Sequence, residues 1–283
     1  GAELPGVVVN IQRAGPGLGN VYPEQSDYNQ AVKGGGHGNY HCLVLAPGNV
    51  QEMCDLTMTA FDLAFRHRNP AIVLGDAVMG QMMETLRLPA AERPPVDTRA
   101  WSVQGNAETR RNLITSIFLN APMQEEHNRR LQAKYEAMQA DALCETYLTD
   151  DAEIVVTGYG ISSRIARSAV DALRQQGIQA GLFRPITLYP FPARQLQLAA
   201  DGKPVVVVEL SCGQYRDDVA FQLGQPAGSL TLVNRMGGIL VTVEQVVAAV
   251  LARLRGGPSP APAAPAEASA TDWTPACHPP AVP

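Results

Sequence analysis

Residues 7–19 read Val-Val-Val-Asn-Ile-Gln-Arg-Ala-Gly-Pro-Gly-Leu-Gly. The β-branched run Val7–Ile11 predicts a buried strand, apolar on both faces as a central parallel strand is. The run leads to Arg13 and then to a glycine-rich loop, Ala14–Asn20. A second glycine-rich loop, Gly34–Gly38, precedes an apolar stretch, Cys42–Ala46, that reads as another strand. Pro47–Asn49 marks a turn and helix start. Val50–His67 then carries Met53, Leu56, Thr57, Ala60, Leu63 and Ala64 at helical spacing. Ala71–Leu74, entered through Pro70, is the next strand. Strand, loop, strand, helix and strand in this order predict an α/β fold with a parallel sheet.

Arg87–Trp101 is rich in Pro, Arg and Ala and reads as a linker, and Gln124–Cys144 as a polar helix lying between domains. A second α/β unit starts at Glu153. Strands are expected at Ile154–Thr157, Gln179–Arg184, Val205–Leu210 and Leu230–Asn234, with helices at Ser162–Gln176 and Val243–Leu254. The expected organisation is a first α/β unit over 1–90, a linker with a helix over 91–150 and a second unit over 151–255. The Pro/Ala-rich tail, 256–283, is expected to be disordered.

The 283 residues are 46% hydrophobic and 17% charged, which fits a soluble globular protein. At a net charge of −5, nothing basic in the composition points to nucleic acid. Apolar runs such as Val205–Val208 are too short to span a bilayer. No charged-then-apolar leader opens the chain, so a cytoplasmic location is expected. The five cysteines (Cys42, Cys54, Cys144, Cys212 and Cys277) are scattered, and none forms a CxxC pair. That spacing argues against a disulfide framework and against a self-contained iron–sulfur site.

Arg13 stands at the C-terminal end of its strand, where ligands gather in open α/β sheets. Its planar fork can hold a carboxylate in two places, and the glycines that follow, Gly15 and Gly17, let backbone approach a ligand closely. A surface arginine before a loop would have the same spacing. His37, within Gly34–Gly38, is placed either to shuttle a proton or to cap a glycine turn. Gly158-Tyr-Gly160-Ile-Ser-Ser163 echoes a dinucleotide fingerprint, but Ser163 replaces its last glycine and Arg184 stands where the acidic residue belongs. A tight strand–helix turn is the favoured reading, with a helix N-terminus that could hold an anion. Gly75-Asp76-Ala77 echoes a metal–pyrophosphate motif, but its third position is Ala and the following Met79, Met82 and Met83 read as core. Cys277-His278 offers too few ligands for zinc.

The runs VVVNIQRAGPGLGNVYPEQSDYNQAVKGGGHGNY and LVLAPGNVQEMCDLTMTAFDLA closely resemble alpha-type subunits of 2-oxoacid:ferredoxin oxidoreductases. Gly158–Gly160, Phe183–Pro192 and Arg235–Gly238 agree, so the resemblance covers about residues 1–255 in colinear order. It implies a domain resembling the one that receives the aminopyrimidine of thiamine diphosphate, followed by a transketolase C-terminal-like domain. It also implies that the cofactor, with its magnesium ion, is shared with a beta-type subunit, and that the cofactor ylide attacks the 2-oxo carbon and carbon dioxide leaves. [4Fe-4S] clusters on other chains would take the electrons, with gamma and ferredoxin-like delta subunits as further partners, ferredoxin as acceptor and coenzyme A taking the acyl group. Arg13 matches the family arginine for the substrate carboxylate. Tyr22 falls where relatives of another preference place a small hydroxyl residue, and the loop GPGLGNVYP resembles the branched-chain (2-oxoisovalerate) version. Gly15, Gly17 and His37 are the candidate cofactor contacts, and no metal ligand is expected.

The family's cofactor-activating glutamate and a substrate-contacting threonine lie upstream of this region, and neither is present. The expectation is therefore of a chain truncated before Gly1, with no catalytic residue of its own and inactive alone. The rivals are a 2-oxoglutarate- or pyruvate-specific member of the same family, and a fragment that acts only as an interaction subunit.

Overall fold

The protein is described here by a computed structural model over residues 1–88 and 96–256. The first part contains β1 (Gly6–Gln12), α1 (Tyr28–Val32), β2 (Leu43–Leu45), α2 (Val50–His67), β3 (Pro70–Asp76) and α3 (Ala77–Gln81). Then come α4 (Ala121–Ala137), β4 (Cys144–Tyr147), β5 (Ile154–Thr157), α5 (Gly160–Gln175), β6 (Ala180–Pro185) and β7 (Thr187–Tyr189). The chain continues with α6 (Ala193–Ala200), β8 (Val205–Glu209), α7 (Gln214–Leu223), β9 (Thr231–Asn234) and α8 (Val243–Leu254). The tail beyond Gly256, with Cys277 and His278, lies outside the described residues, as does part of the Arg87–Trp101 segment.

Among the described residues the strands form two sheets, ordered β1-β3-β2-β7 and β4-β6-β5-β8-β9. β1 and β2 run parallel to β3, and β5, β6, β8 and β9 are mutually parallel. β4 and β7 are the antiparallel edges. β7 follows β6 directly yet pairs with β2, so one continuous stretch of chain stitches the sheets together. The fold is α/β, as the alternation predicts, with mixed rather than purely parallel sheets.

Helix α2 has the bounds that its apolar spacing predicts. Asn49 caps it by accepting from the Glu52 N–H, and Arg68 ends it in the left-handed conformation. Two expectations need correction. β1 is an edge strand paired only with β3, and Val8 (57%), Val9 (52%) and Ile11 (37%) are exposed. A β-branched run prescribes extended backbone, but its burial depends on neighbours that its own sequence does not name. The polar helix expected over Gln124–Cys144 ends at Ala137, and Cys144 begins β4. Its Leu131 and Tyr135 pack with Leu43, Leu45, Leu56 and Val73, so it lies on the first sheet and not between the two.

Between the sheets the core is continuous. Tyr28, Val44 and Leu74 from one side pack with Val155, Tyr159, Phe183 and Tyr215 from the other. The rings of Tyr28, Tyr159 and Tyr215 stand 5.4–5.8 Å apart by centroid, the spacing of favourable tilted and edge contacts. Buried hydroxyls need partners there. Tyr28 donates to Asp218 Oδ2 at 2.6 Å, Thr157 and Tyr215 share a 2.6 Å bond, and Lys33 pairs with the other Asp218 oxygen. A second, part-buried link joins Arg184 on β6 to Glu52 on α2 through two bonds of 2.9 and 2.7 Å. A β-carbon at Gly48 would press on that guanidinium, so a larger residue there would have to displace the Arg184 fork.

Tyr28→Phe removes a hydrogen bond to a buried carboxylate while keeping the ring. It is expected to lower the stability of the chain by about 1.5–3 kcal/mol, read as a lower urea midpoint with unchanged far-ultraviolet circular dichroism.

Candidate functional site

β1, β8 and β9 bring their C-terminal ends to one cleft of about 870 Å³. It is lined from the first sheet by Asn10, Ile11, Arg13, Gly15, Pro16 and Gly17, then by Glu24, Ser26 and Asp27. Cys212, Gln214, Met236 and Gly237 complete it from the second sheet. This is the edge at which α/β sheets bind ligands, and the volume is that of a small-molecule site. Arg13 is the only cation among the described residues that line it.

The loop after β1 folds back on itself. Ala14 N–H donates to the Tyr22 carbonyl at 2.8 Å, Asn20 N–H to the Ala14 carbonyl at 3.1 Å, and Arg13 bridges Pro23. Gly19 has φ +50°, and a β-carbon there would strike the Ala14 carbonyl, so the tight return requires glycine. The Arg13 guanidinium donates to the carbonyls of Ala14 (3.1 Å), Gly17 (3.2 Å) and Leu18. Its fork thus meets carbonyl oxygens where a ligand carboxylate would offer oxygens of the same kind.

Of the residues singled out from sequence, Arg13, Gly15 and Gly17 stand together on the cleft. Tyr22 is 61% exposed and does not line it; its β-carbon packs where any side chain at Gly238 would have to go. His37 is exposed at φ +60° in its glycine loop, outside the cleft. Asp76 is buried and fully used. One oxygen accepts from the N–H groups of Val78 and Met79, and the other from Ile161 N–H at 3.1 Å. Burial holds its carboxyl above the ordinary range, against the pull of those N–H donors. The N-terminus of α5, read from sequence as a place for an anion, is therefore already filled by a carboxylate of this chain. Among the described residues no group of three or more His, Cys, Asp or Glu side chains stands together as a metal site.

Sequence reasoning passed over Glu24, Cys212, Gln214 and Met236, because only the tertiary fold carries the loops after β8 and β9 to Arg13. It also passed over Glu209, at the end of β8. Glu209 is fully buried, with Oε2 accepting from Tyr215 N–H (2.8 Å) and Ser211 Oγ (3.1 Å). Oε1 has no hydrogen-bond partner among the described residues. Burial pushes its carboxyl up to about 7, against the pull of the Tyr215 N–H.

Residues 1–150 match the family profile described as pyruvate flavodoxin/ferredoxin oxidoreductase, thiamine-diphosphate-binding. Residues 152–246 match pyruvate:ferredoxin oxidoreductase core domain II. The chain is 56% identical over 251 residues to the ketoisovalerate oxidoreductase subunit VorB of Methanothermobacter thermautotrophicus, covering 87% of this chain and 70% of that one. It is 33% identical over 273 residues to the 2-oxoglutarate synthase subunit KorA of Methanocaldococcus jannaschii, covering 88% and 74%. Its fold is that of a 2-oxoglutarate:ferredoxin oxidoreductase from Magnetococcus marinus, with a TM-score of 0.74 at 21% identity over 88% of this chain. The chain spans about half the length of that solved chain (49%).

The Glu209 carboxyl gives a pH test. Its value rises from an ordinary 4.5 to about 7 on folding, so between these the folded chain holds a proton that the unfolded chain releases. Stability from this group is therefore full below about pH 4.5 and lost as pH rises through about 7. Glu209→Gln is expected to flatten that slope and to exceed the wild type in urea midpoint at about pH 8.

Proposed function

The chain belongs to the 2-oxoacid:ferredoxin oxidoreductase family, and from that premise we propose that it is the alpha-type subunit of an enzyme that oxidatively decarboxylates a branched-chain 2-oxo acid to an acyl-CoA and reduces ferredoxin. The observation that carries the substrate class is the cation count of the cleft. Arg13 can hold one carboxylate, while Ile11, Pro16 and Met236 offer apolar surface for a side chain. A substrate with a second carboxylate would bring that charge to a cleft that already holds Glu24 and Asp27 and, among the described residues that line it, no further lysine or arginine. A branched aliphatic side chain carries no such cost, and its burial is favourable by about 0.8 kcal/mol per CH₂.

In this reading Arg13 orients the substrate by exchanging its loop carbonyls for the substrate carboxylate, in two parallel charge-assisted hydrogen bonds. Gly15 and Gly17 keep side chains out of the approach, and Tyr22 stands outside the cleft. The glycine backbone and apolar wall fit the organic end of thiamine diphosphate. No acidic cluster among the described residues fits its pyrophosphate and magnesium ion, which falls to a beta-type partner in this reading. Bound there, the cofactor supplies the carbanion chemistry that lets carbon dioxide leave. Other subunits, the gamma and iron–sulfur-bearing delta chains, complete the enzyme in this reading. The free thiols Cys42, Cys54, Cys144 and Cys212 suit a reducing cytoplasm. No helix among the described residues is long and apolar enough to cross a membrane.

The test is 2-oxo acid-dependent viologen reduction by the assembled complex, with coenzyme A. Arg13→Ala is expected to lower kcat/KM on the order of a hundredfold, and Arg13→Lys to restore only part, because an ammonium cannot form the paired bonds. Near-wild-type turnover in Arg13→Ala, or a preference for 2-oxoglutarate over 2-oxoisovalerate, would overturn the assignment.

A further inference from the structure

Glu24 lies between the two halves of the cleft and is 4% exposed. Its two oxygens serve different loops. Oε2 accepts from Gly15 N–H at 2.9 Å and from Ser26 Oγ at 3.2 Å, so it holds the loop that carries Arg13. Oε1 accepts from Gly237 N–H at 2.8 Å, in the Arg235–Gly238 loop after β9, 213 residues further along the chain. A second tether runs beside it. Asn20 Nδ2 donates to the Gly237 carbonyl at 3.1 Å, while Asn20 Oδ1 accepts from Tyr22 N–H at 2.9 Å. Gly238, at φ +94°, leaves the space that the Tyr22 β-carbon fills.

We propose that Glu24 is a positioning residue that clamps the Arg13 loop to the Arg235–Gly238 loop, so that affinity for the 2-oxo acid depends on a side chain that does not hold the acid itself. The inference rests on the assignment of Arg13 to the substrate carboxylate. Arg13 opens that loop and is held in it by its backbone bridge to Pro23 and by the Ala14 N–H bond to the Tyr22 carbonyl, so the point from which its fork reaches the acid follows the position of the loop. Free glycine backbone would sample many conformations, and each would move the fork. A buried carboxylate with N–H donors on opposite sides removes that freedom. Glutamine has the same shape but only one acceptor oxygen. Its NH₂ group would face one of the two N–H donors, so Glu24→Gln releases one loop while filling the same volume.

The experiment uses the complete complex with its natural partner subunits. KM and kcat for 2-oxoisovalerate are read by viologen reduction, and amide hydrogen exchange is read over 13–20 and 235–238. Glu24→Gln is expected to raise KM about tenfold, change kcat by less than about threefold, and speed exchange in both segments. Asn20→Ala removes only the outer tether and is expected to move KM and exchange the same way by a smaller factor. A Glu24→Gln complex that assembles with unchanged KM, or with kcat and KM failing together, overturns the proposal. So does unchanged exchange. If Glu24→Gln does not assemble, Asn20→Ala decides alone, and an unaltered KM there overturns the clamp. Absence of any 2-oxo acid turnover in a wild-type complex whose alpha-type chain includes the upstream glutamate-bearing segment would refute the function proposed above, while the exchange measurements would still judge the clamp.

Discussion

The buried side chain of Gln25 is the contact on which the cleft depends. Its amide donates to the Tyr159 carbonyl at 2.8 Å, and its oxygen accepts from Ser162 Oγ (2.6 Å) and Leu210 N–H (3.0 Å). The Gln25 backbone N–H donates to the Leu210 carbonyl at 2.7 Å, and its carbonyl accepts from the Tyr159 hydroxyl at 3.1 Å. One residue of the first part is thus bonded to the ends of β5 and β8 in the second. Buried polar groups are costly unless all are satisfied, so this network allows one relative placement of the sheets rather than a range. Every residue that lines the cleft from β8 and β9 reaches Arg13 because that placement is held.

The same seam explains why two sequence features with a ligand-binding look serve the fold. Asp76 sits in a segment that echoes a metal motif, and Gly158–Ser163 echoes a nucleotide fingerprint. In the structure they meet: the Asp76 carboxylate accepts the Ile161 N–H at the start of α5. A helix N-terminus favours a negative charge wherever it comes from, and here the charge is supplied by the same chain. The chemistry that makes such a motif attractive to a ligand also makes it useful as a joint.

Polar residues between the sheets divide into two kinds. Tyr28, Asp218, Thr157 and Tyr215 satisfy one another within an aromatic core and stiffen it. Glu24 and Glu209 sit closer to the cleft and hold loops rather than strands. Glu209, at the end of β8, keeps one oxygen without a hydrogen-bond partner among the described residues, and burial raises its carboxyl. The walls of the cleft are apolar along Ile11 and Met236.

The α/β class, helix α2 from cap to C-terminus, and the strands at Ile154, Gln179 and Val205 follow from local patterns. Apolar spacing, a capping Asn and β-branched runs act within a few residues of themselves. Arg13 as a candidate was legible for the same reason, since a strand end followed by glycines is a local signal. What surrounds Arg13 was not legible. Glu24, Cys212 and Met236 lie far from one another in the chain, and their meeting depends on which sheet each strand joins. The exposed edge of β1, the short strand β7 crossing to the first sheet and the end of α4 at Ala137 were decided in the same way. A residue's burial is a property of its neighbours in space, and those were set by the packing of the two sheets across the Gln25 seam, which no stretch of sequence encodes alone.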